Sequence, residues 1–140
     1  MLKKGSQKMG VQPGVRAILV DAPVEAVESI DLPDVEISSE LKGDFNYIHL
    51  FVTKQSELQE QFPKLKSHLL SGGMLWVSWP KGGQLETDLN LKIVIKIGYD
   101  FGLVESTALS INAVWSGLKF THPKKGKVYH NSYGQLKPGE

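Results

Sequence analysis

The sequence predicts a three-layer α/β/α domain on a mostly parallel sheet that ends in an antiparallel hairpin. Three observations predict it. Short runs rich in apolar and β-branched residues alternate with segments whose apolar residues recur at helical spacing. The first of these runs is nearly continuous in apolar residues, as a strand buried on both faces is. The last two runs are separated only by a tight turn near Asn112-Ala113, so the final strand returns antiparallel to its neighbour.

The elements follow in order. The turn Gln12-Pro13-Gly14 launches the first strand over 15–20, ending in Ala17-Ile18-Leu19-Val20. Asp21 or Ala22 then caps a short helix, with Pro23 at its first position, running to about Ser29. Asp31-Leu32-Pro33-Asp34 breaks the chain, and Val35-Glu36-Ile37 is a short second strand. The clearest strand spans 45–52, dense in aromatic and β-branched residues. Over 54–70, Leu58, Phe62, Leu65 and Leu69 form one helical face. Pro63 kinks that helix or opens a second turn, and Ser71-Gly72-Gly73 stops it. A strand follows over 74–79. Thr87-Asp88 caps a helix striped by Leu89, Ile93, Ile97 and Phe101 and closed by Gly102. Strands over 103–111 and 115–121 make the terminal hairpin. Within it Trp115, Gly117 and Lys119 face one way, and Ser116, Leu118 and Phe120 face the other.

One domain over 1–122 and a flexible C-terminal tail over 123–140 are expected, because Pro, Gly, Lys and Asn dominate the end without periodicity. At 140 residues the chain is long enough to bury a self-sufficient core. It has no Cys, hence no disulfide, which fits a reducing compartment. The basic start, Lys3-Lys4-Gly5-Ser6-Gln7-Lys8, is not followed by an apolar signal core, and no apolar run is long enough to cross a bilayer. A formal charge of +1 supplies no general attraction to nucleic acid or membrane, so a cytoplasmic domain without a membrane partner is expected.

In open α/β sheets a ligand sits outside the carboxyl ends of the strands, where strand order reverses. With the strands at 15–20 and 45–52 as central neighbours, that crevice is lined by Asp21, Ala22 and Pro23, by Thr53 and Lys54, and by Trp79, Pro80 and Lys81. Trp79 beside Lys81 and the Gly82-Gly83 pair suits stacking a ring and pairing an anion; the competing reading places Trp79 in the core and Lys81 in solvent.

Several chemistries are disfavoured. The first strand-to-helix turn has no Gly, and Asp21 puts a negative charge where a phosphate would lie, which argues against a dinucleotide. His49, His68, His122 and His130 lack metal-ligand spacing, so no metal is expected. No nucleophile elbow or phosphate-binding loop occurs. His49, inside a strand, reads as a hydrogen-bonded core histidine. The acids Asp31, Asp34 and Glu36 read as solvated. Lys124, Lys125 and Lys127 with Tyr129 make too small a patch for a nucleic-acid site.

Residues 45–52, the following helix and Leu69-Leu70-Ser71-Gly72-Gly73-Met74-Leu75-Trp76-Val77 resemble the fourth strand, helix and fifth strand of class I S-adenosylmethionine-dependent methyltransferases. The terminal hairpin resembles theirs too. This implies a Rossmann-like, methyltransferase-like fold, truncated because little chain separates the first and fourth strands. Trp76-Val77-Ser78-Trp79-Pro80-Lys81, Thr87-Asp88-Leu89-Asn90, Gly102-Leu103-Val104 and Trp115-Ser116-Gly117-Leu118-Lys119-Phe120 resemble a small bacterial family, domain of unknown function 3052. That family implies no activity to carry over.

Where the methyltransferase fold has a Gly-rich cofactor turn, this chain has Asp21-Ala22-Pro23-Val24-Glu25. The leading expectation is therefore a non-catalytic binding or regulatory module without cofactor, taking a small ligand or protein partner. The alternative is a divergent methyltransferase or other small transferase using Asp21, Thr53, Trp79 and Lys81. The edge hairpin is also a natural place for homodimer pairing.

Overall fold

The computed structural model describes residues 3–136. Its elements are α1 (Gly5–Met9), β1 (Arg16–Val20), α2 (Val24–Ile30), β2 (Glu36–Ile37), β3 (Phe45–Phe51), α3 (Gln55–Lys66), β4 (Leu69–Pro80), a 3₁₀ segment (Lys81–Glu86), α4 (Leu91–Asp100), β5 (Val104–Ser110) and β6 (Trp115–Thr121). The six strands lie in the order β2-β1-β3-β4-β6-β5. The first four are mutually parallel, and β6 runs antiparallel to both β4 and β5. The mostly parallel sheet with a terminal hairpin is as the sequence predicts, and β1 lies inside the rim.

Alternation along the strands feeds two cores. Ile18, Ile48, Leu50, Leu75, Val77, Leu118 and Phe120 face α3 and α4, joined by Leu58, Phe62, Val94 and Ile97. On the other face Ala17, Tyr47, Phe51, Trp76 and Trp115 pack with Met9 of α1 and Ala26 and Ile30 of α2. The hairpin facing is also as predicted.

Five local details differ from the sequence reading. The helix after residue 54 stops at Lys66, and Leu69 already belongs to β4, opposite Phe45. The ladder slips between Phe45 and Tyr47, where residues 70–73, Gly72 (φ +79) and Gly73 among them, stand against the single residue Asn46. A Cβ on Gly73 would stand 2.9 Å from the Leu70 carbonyl oxygen and 3.1 Å from that of Asn46. These glycines therefore shape an irregular strand; they do not end a helix.

The cap of α4 is Asn90, whose Oδ1 accepts from Ile93 N at 3.0 Å. Thr87 serves the preceding loop, donating to the Thr53 carbonyl at 2.5 Å and accepting from Leu89 N at 3.1 Å. At α2, Pro23 is the N-cap and Val24 the first helical residue, one position later than predicted. Finally, α1 had no sequence signal; Gly5 lets it lie against the carboxyl end of α2, and Ser6 Oγ donates to the Asp31 carbonyl at 2.7 Å.

Beyond β6, Tyr129 and Leu136 pack against the first core, and Asn131 Nδ2 donates to Glu105 Oε1 at 2.8 Å. The last four residues of the segment read as a tail lie outside the described residues. Among the described residues no helix is long and apolar enough to cross a membrane.

Candidate functional site

Because β1 through β4 run parallel, their carboxyl ends open on one edge of the sheet. From β1 the chain passes to β2 on one side, and β3 lies on the other, so strand order reverses between β1 and β3. That is the switch point at which open α/β sheets hold ligands.

The first wall is Asp21, Ala22 and Pro23. Asp21 is exposed and has φ +55, a left-handed conformation that glycine adopts freely and that Asp tolerates better than most residues. Ala22 and Pro23 are half-buried. The Pro23 carbonyl accepts from both Ala26 N and Val27 N at 3.1 Å, starting α2.

The second wall is Thr53 and Lys54. Glu57 Oε1 gathers Thr53 Oγ1 at 3.0 Å and Lys54 N at 3.1 Å, which caps α3. The Lys54 ammonium donates to the Glu86 carbonyl, tying α3 to the 3₁₀ segment.

The third wall is Trp79, Pro80 and Lys81. Trp79 is 5 % exposed and belongs to the core beneath α3 and α4, the competing reading of the sequence. Pro80 is buried opposite Trp115. Lys81 N donates to the Val114 carbonyl at 2.7 Å, and its ammonium reaches Ser110 Oγ. The structure thus brings all eight residues to one edge, yet it engages Thr53, Lys54 and Lys81 in bonds to their own chain.

Two features of this edge had no sequence signal. Leu85 (φ +54) and Glu86 (φ +55) are left-handed, and Leu85 remains 59 % exposed. Such backbone is held at a cost of about 1–3 kcal/mol per residue, and strain of this kind collects at functional sites. Behind the crevice, Tyr47, His49 and Ser78 form a fully buried polar row. Tyr47 and His49 share a strand face by their spacing, but nothing in the sequence pairs them with Ser78. Burial holds the His49 imidazole down at about 3 and pushes the Tyr47 phenol above its ordinary range. His49 is thus a neutral core histidine, as its place in a strand predicts.

No family model matches the chain, and no curated protein does. The likeness to domain of unknown function 3052 therefore rests on its motifs alone. Solved structures do match. Precorrin-6y C5,15-methyltransferase from Geobacter metallireducens superposes with a TM-score of 0.58 at 10 % identity, over 85 % of this chain and 86 % of that one. A TehB-like SAM-dependent methyltransferase from Corynebacterium glutamicum gives 0.54 at 9 % identity, over 88 % and 89 %. Magnesium protoporphyrin IX methyltransferase from Synechocystis, with bound SAM, gives 0.55 at 12 % identity, over 84 % and 74 %.

The fold is methyltransferase-like. Within it, β2 is two residues long and 38–44 leads straight back to β3, so the truncation predicted from the short spacing falls there. At these identities the likeness carries the architecture alone.

Proposed function

We propose that this chain is a divergent S-adenosylmethionine-dependent methyltransferase domain with its cofactor site at the switch point. The observation that carries the reading is the left-handed Asp21 at the end of β1. Glycine is missing from the turn, yet the backbone conformation that glycine favours is kept. Among the described residues the Asp21 carboxylate makes no ion pair. A free carboxylate repels a phosphate and complements an ammonium or sulfonium, so its charge suits S-adenosylmethionine better than a dinucleotide. Bound there, the cofactor would supply a methyl group activated on sulfur. Asp21 would hold its cationic end, and Ala22, the smallest side chain of the turn, would leave it room at the main chain.

Calorimetric titration of the full chain with S-adenosylmethionine and S-adenosylhomocysteine tests this. Micromolar binding that weakens in Asp21→Asn, with an unchanged unfolding midpoint, is the expected result, because Asn removes the charge and tolerates the left-handed conformation as Asp does. Ligand at a hundredfold excess over Kd should also add about 2.7 kcal/mol of stability. An intact fold that binds neither compound sinks the reading.

A second reading, a non-catalytic binding or regulatory module, is favoured by the engaged side chains of Thr53, Lys54 and Lys81. Bonds to Glu57, Glu86 and Ser110 hold these side chains against their own chain. Failure of both adenosyl compounds to bind, with Asp21→Asn unaltered in stability, is what this reading expects.

A further inference from the structure

Trp115 opens β6 opposite Pro80. Its ring meets Phe51 edge to face, with centroids 5.2 Å apart and planes at 81°. Phe51 ends β3 two residues before Thr53, and Ala22 packs against the same apolar cluster. The indole therefore packs beside the carboxyl ends of β3 and β4, in the apolar cluster that Ala22 also joins, on the face of the sheet that carries α1 and α2.

The side chain is 5 % exposed, and its Nε1 is buried with no hydrogen-bond partner. The neighbouring polar groups are not left in this state. Trp76 Nε1 donates to Met74 Sδ at 3.4 Å. Tyr47, His49 and Ser78 satisfy one another at 2.7 Å. Among the described residues Trp115 Nε1 is the one buried side-chain nitrogen without a partner. A buried donor with no acceptor opposes folding, so each one in a native structure calls for an explanation, and an acceptor arriving from elsewhere is one. Phe would fill much of the same apolar space without that penalty.

We propose that Trp115 Nε1 is a recognition donor of the crevice, hydrogen-bonding an acceptor atom of the bound adenosyl ligand. This rests on the adenosyl site proposed above and adds a residue to it. It also accounts for the orphaned donor at this edge of the sheet; the other buried unpartnered side-chain atom among the described residues, Glu105 Oε2, is an acceptor on β5.

The test is the ¹⁵N-resolved spectrum of the three indole N–H groups in the full chain, each assigned by Trp→Phe substitution and followed during titration with S-adenosylhomocysteine. The Trp115 resonance should move downfield as it gains an acceptor, while that of Trp76 stays. Trp115→Phe should bind roughly tenfold more weakly, the scale of one net hydrogen bond. Because Phe is smaller, the companion variant carries 3-benzothienylalanine at position 115, which keeps the ring shape and replaces N–H by sulfur. It should lose the same affinity with a wild-type or higher unfolding midpoint. Binding with an unmoved Trp115 resonance, or full affinity in the sulfur variant, overturns the role and leaves the site reading standing. So does magnetisation transfer showing a water already bonded to this N–H in the ligand-free chain. Wild-type protein that binds no adenosyl compound removes the site reading, and the role falls with it.

Discussion

His49 Nε2 lies 2.7 Å from Ser78 Oγ, across the seam between β3 and β4 and 29 residues apart in the chain. The other ring nitrogen lies 2.7 Å from the Tyr47 hydroxyl, and all three side chains are sealed from solvent. A neutral imidazole offers one donor and one acceptor, and one hydroxyl on each side satisfies both. Phe51 stacks on the ring at 4.4 Å, completing an environment with no place for a charge.

That arrangement makes stability depend on pH. The unfolded imidazole takes its proton near 6.5, whereas the native ring is held at about 3. Below pH 6.5 the unfolded state therefore binds more protons, and stability falls as pH drops through this window. Between pH 7 and pH 5 the ring should account for a loss of about 2 kcal/mol in urea unfolding. His49→Phe should be weaker at pH 7, because both hydroxyls lose their partner, yet flatter with pH. An equally steep variant would show that other groups carry the slope.

Trp79 and Lys81 are near neighbours in sequence with opposite surroundings. Trp79→Ala should cost about 3–5 kcal/mol, the range for emptying a buried aromatic site. Lys81→Ala should stay within about 0.5 kcal/mol, since its main-chain bond to Val114 survives. Denaturant midpoints read both. A mild Trp79→Ala would mean that the indole is not part of the core.

Gly98 lies inside α4, where Ala is ordinarily the better helix former by about 1 kcal/mol. Here an added Cβ would overlap the Phe120 ring, itself wholly buried and edge-on to Phe62 at 5.3 Å. Gly98→Ala should therefore destabilise by about 1–3 kcal/mol, reversing the propensity. A thermal midpoint at or above that of the wild type refutes the close packing of α4 on β6.

At Asp21 the two smallest replacements should part company. Glycine takes φ +55 without strain, so Asp21→Gly should remain within about 0.5 kcal/mol of wild type or exceed it. Alanine keeps its Cβ and lacks the polar side chain that eases this conformation, so Asp21→Ala should lose about 1 kcal/mol. Equal midpoints for the two would argue against a left-handed residue at the end of β1.

Much of the architecture is legible in the sequence, because periodicity is a local property. The aromatic and β-branched run at 45–52, the stripe of Leu58, Phe62 and Leu65, and the alternating hairpin each declare their own element and its buried face. The site edge was legible too, because parallel strands bring their carboxyl ends together wherever the crossovers run. Boundaries were less so. Leu69 continues the spacing of a helical stripe and equally begins a strand, and only its pairing with Phe45 decides between them. Thr87, Asp88 and Asn90 all carry acceptors suited to a helix cap; Asn90 takes the role because Thr87 is drawn to the Thr53 carbonyl, 34 residues away.

What the sequence by itself determined is therefore the layering, the parallel core and the edge on which a ligand belongs, all of them consequences of residue type and short-range spacing. Tertiary structure alone decided that Trp79 turns into the core, that Lys54 and Lys81 are spent on Glu86 and Ser110, and that the Trp115 indole nitrogen is left without an acceptor. Those outcomes depend on which atoms of distant segments arrive within 3 to 4 Å of one another, and spacing along a chain carries no record of that.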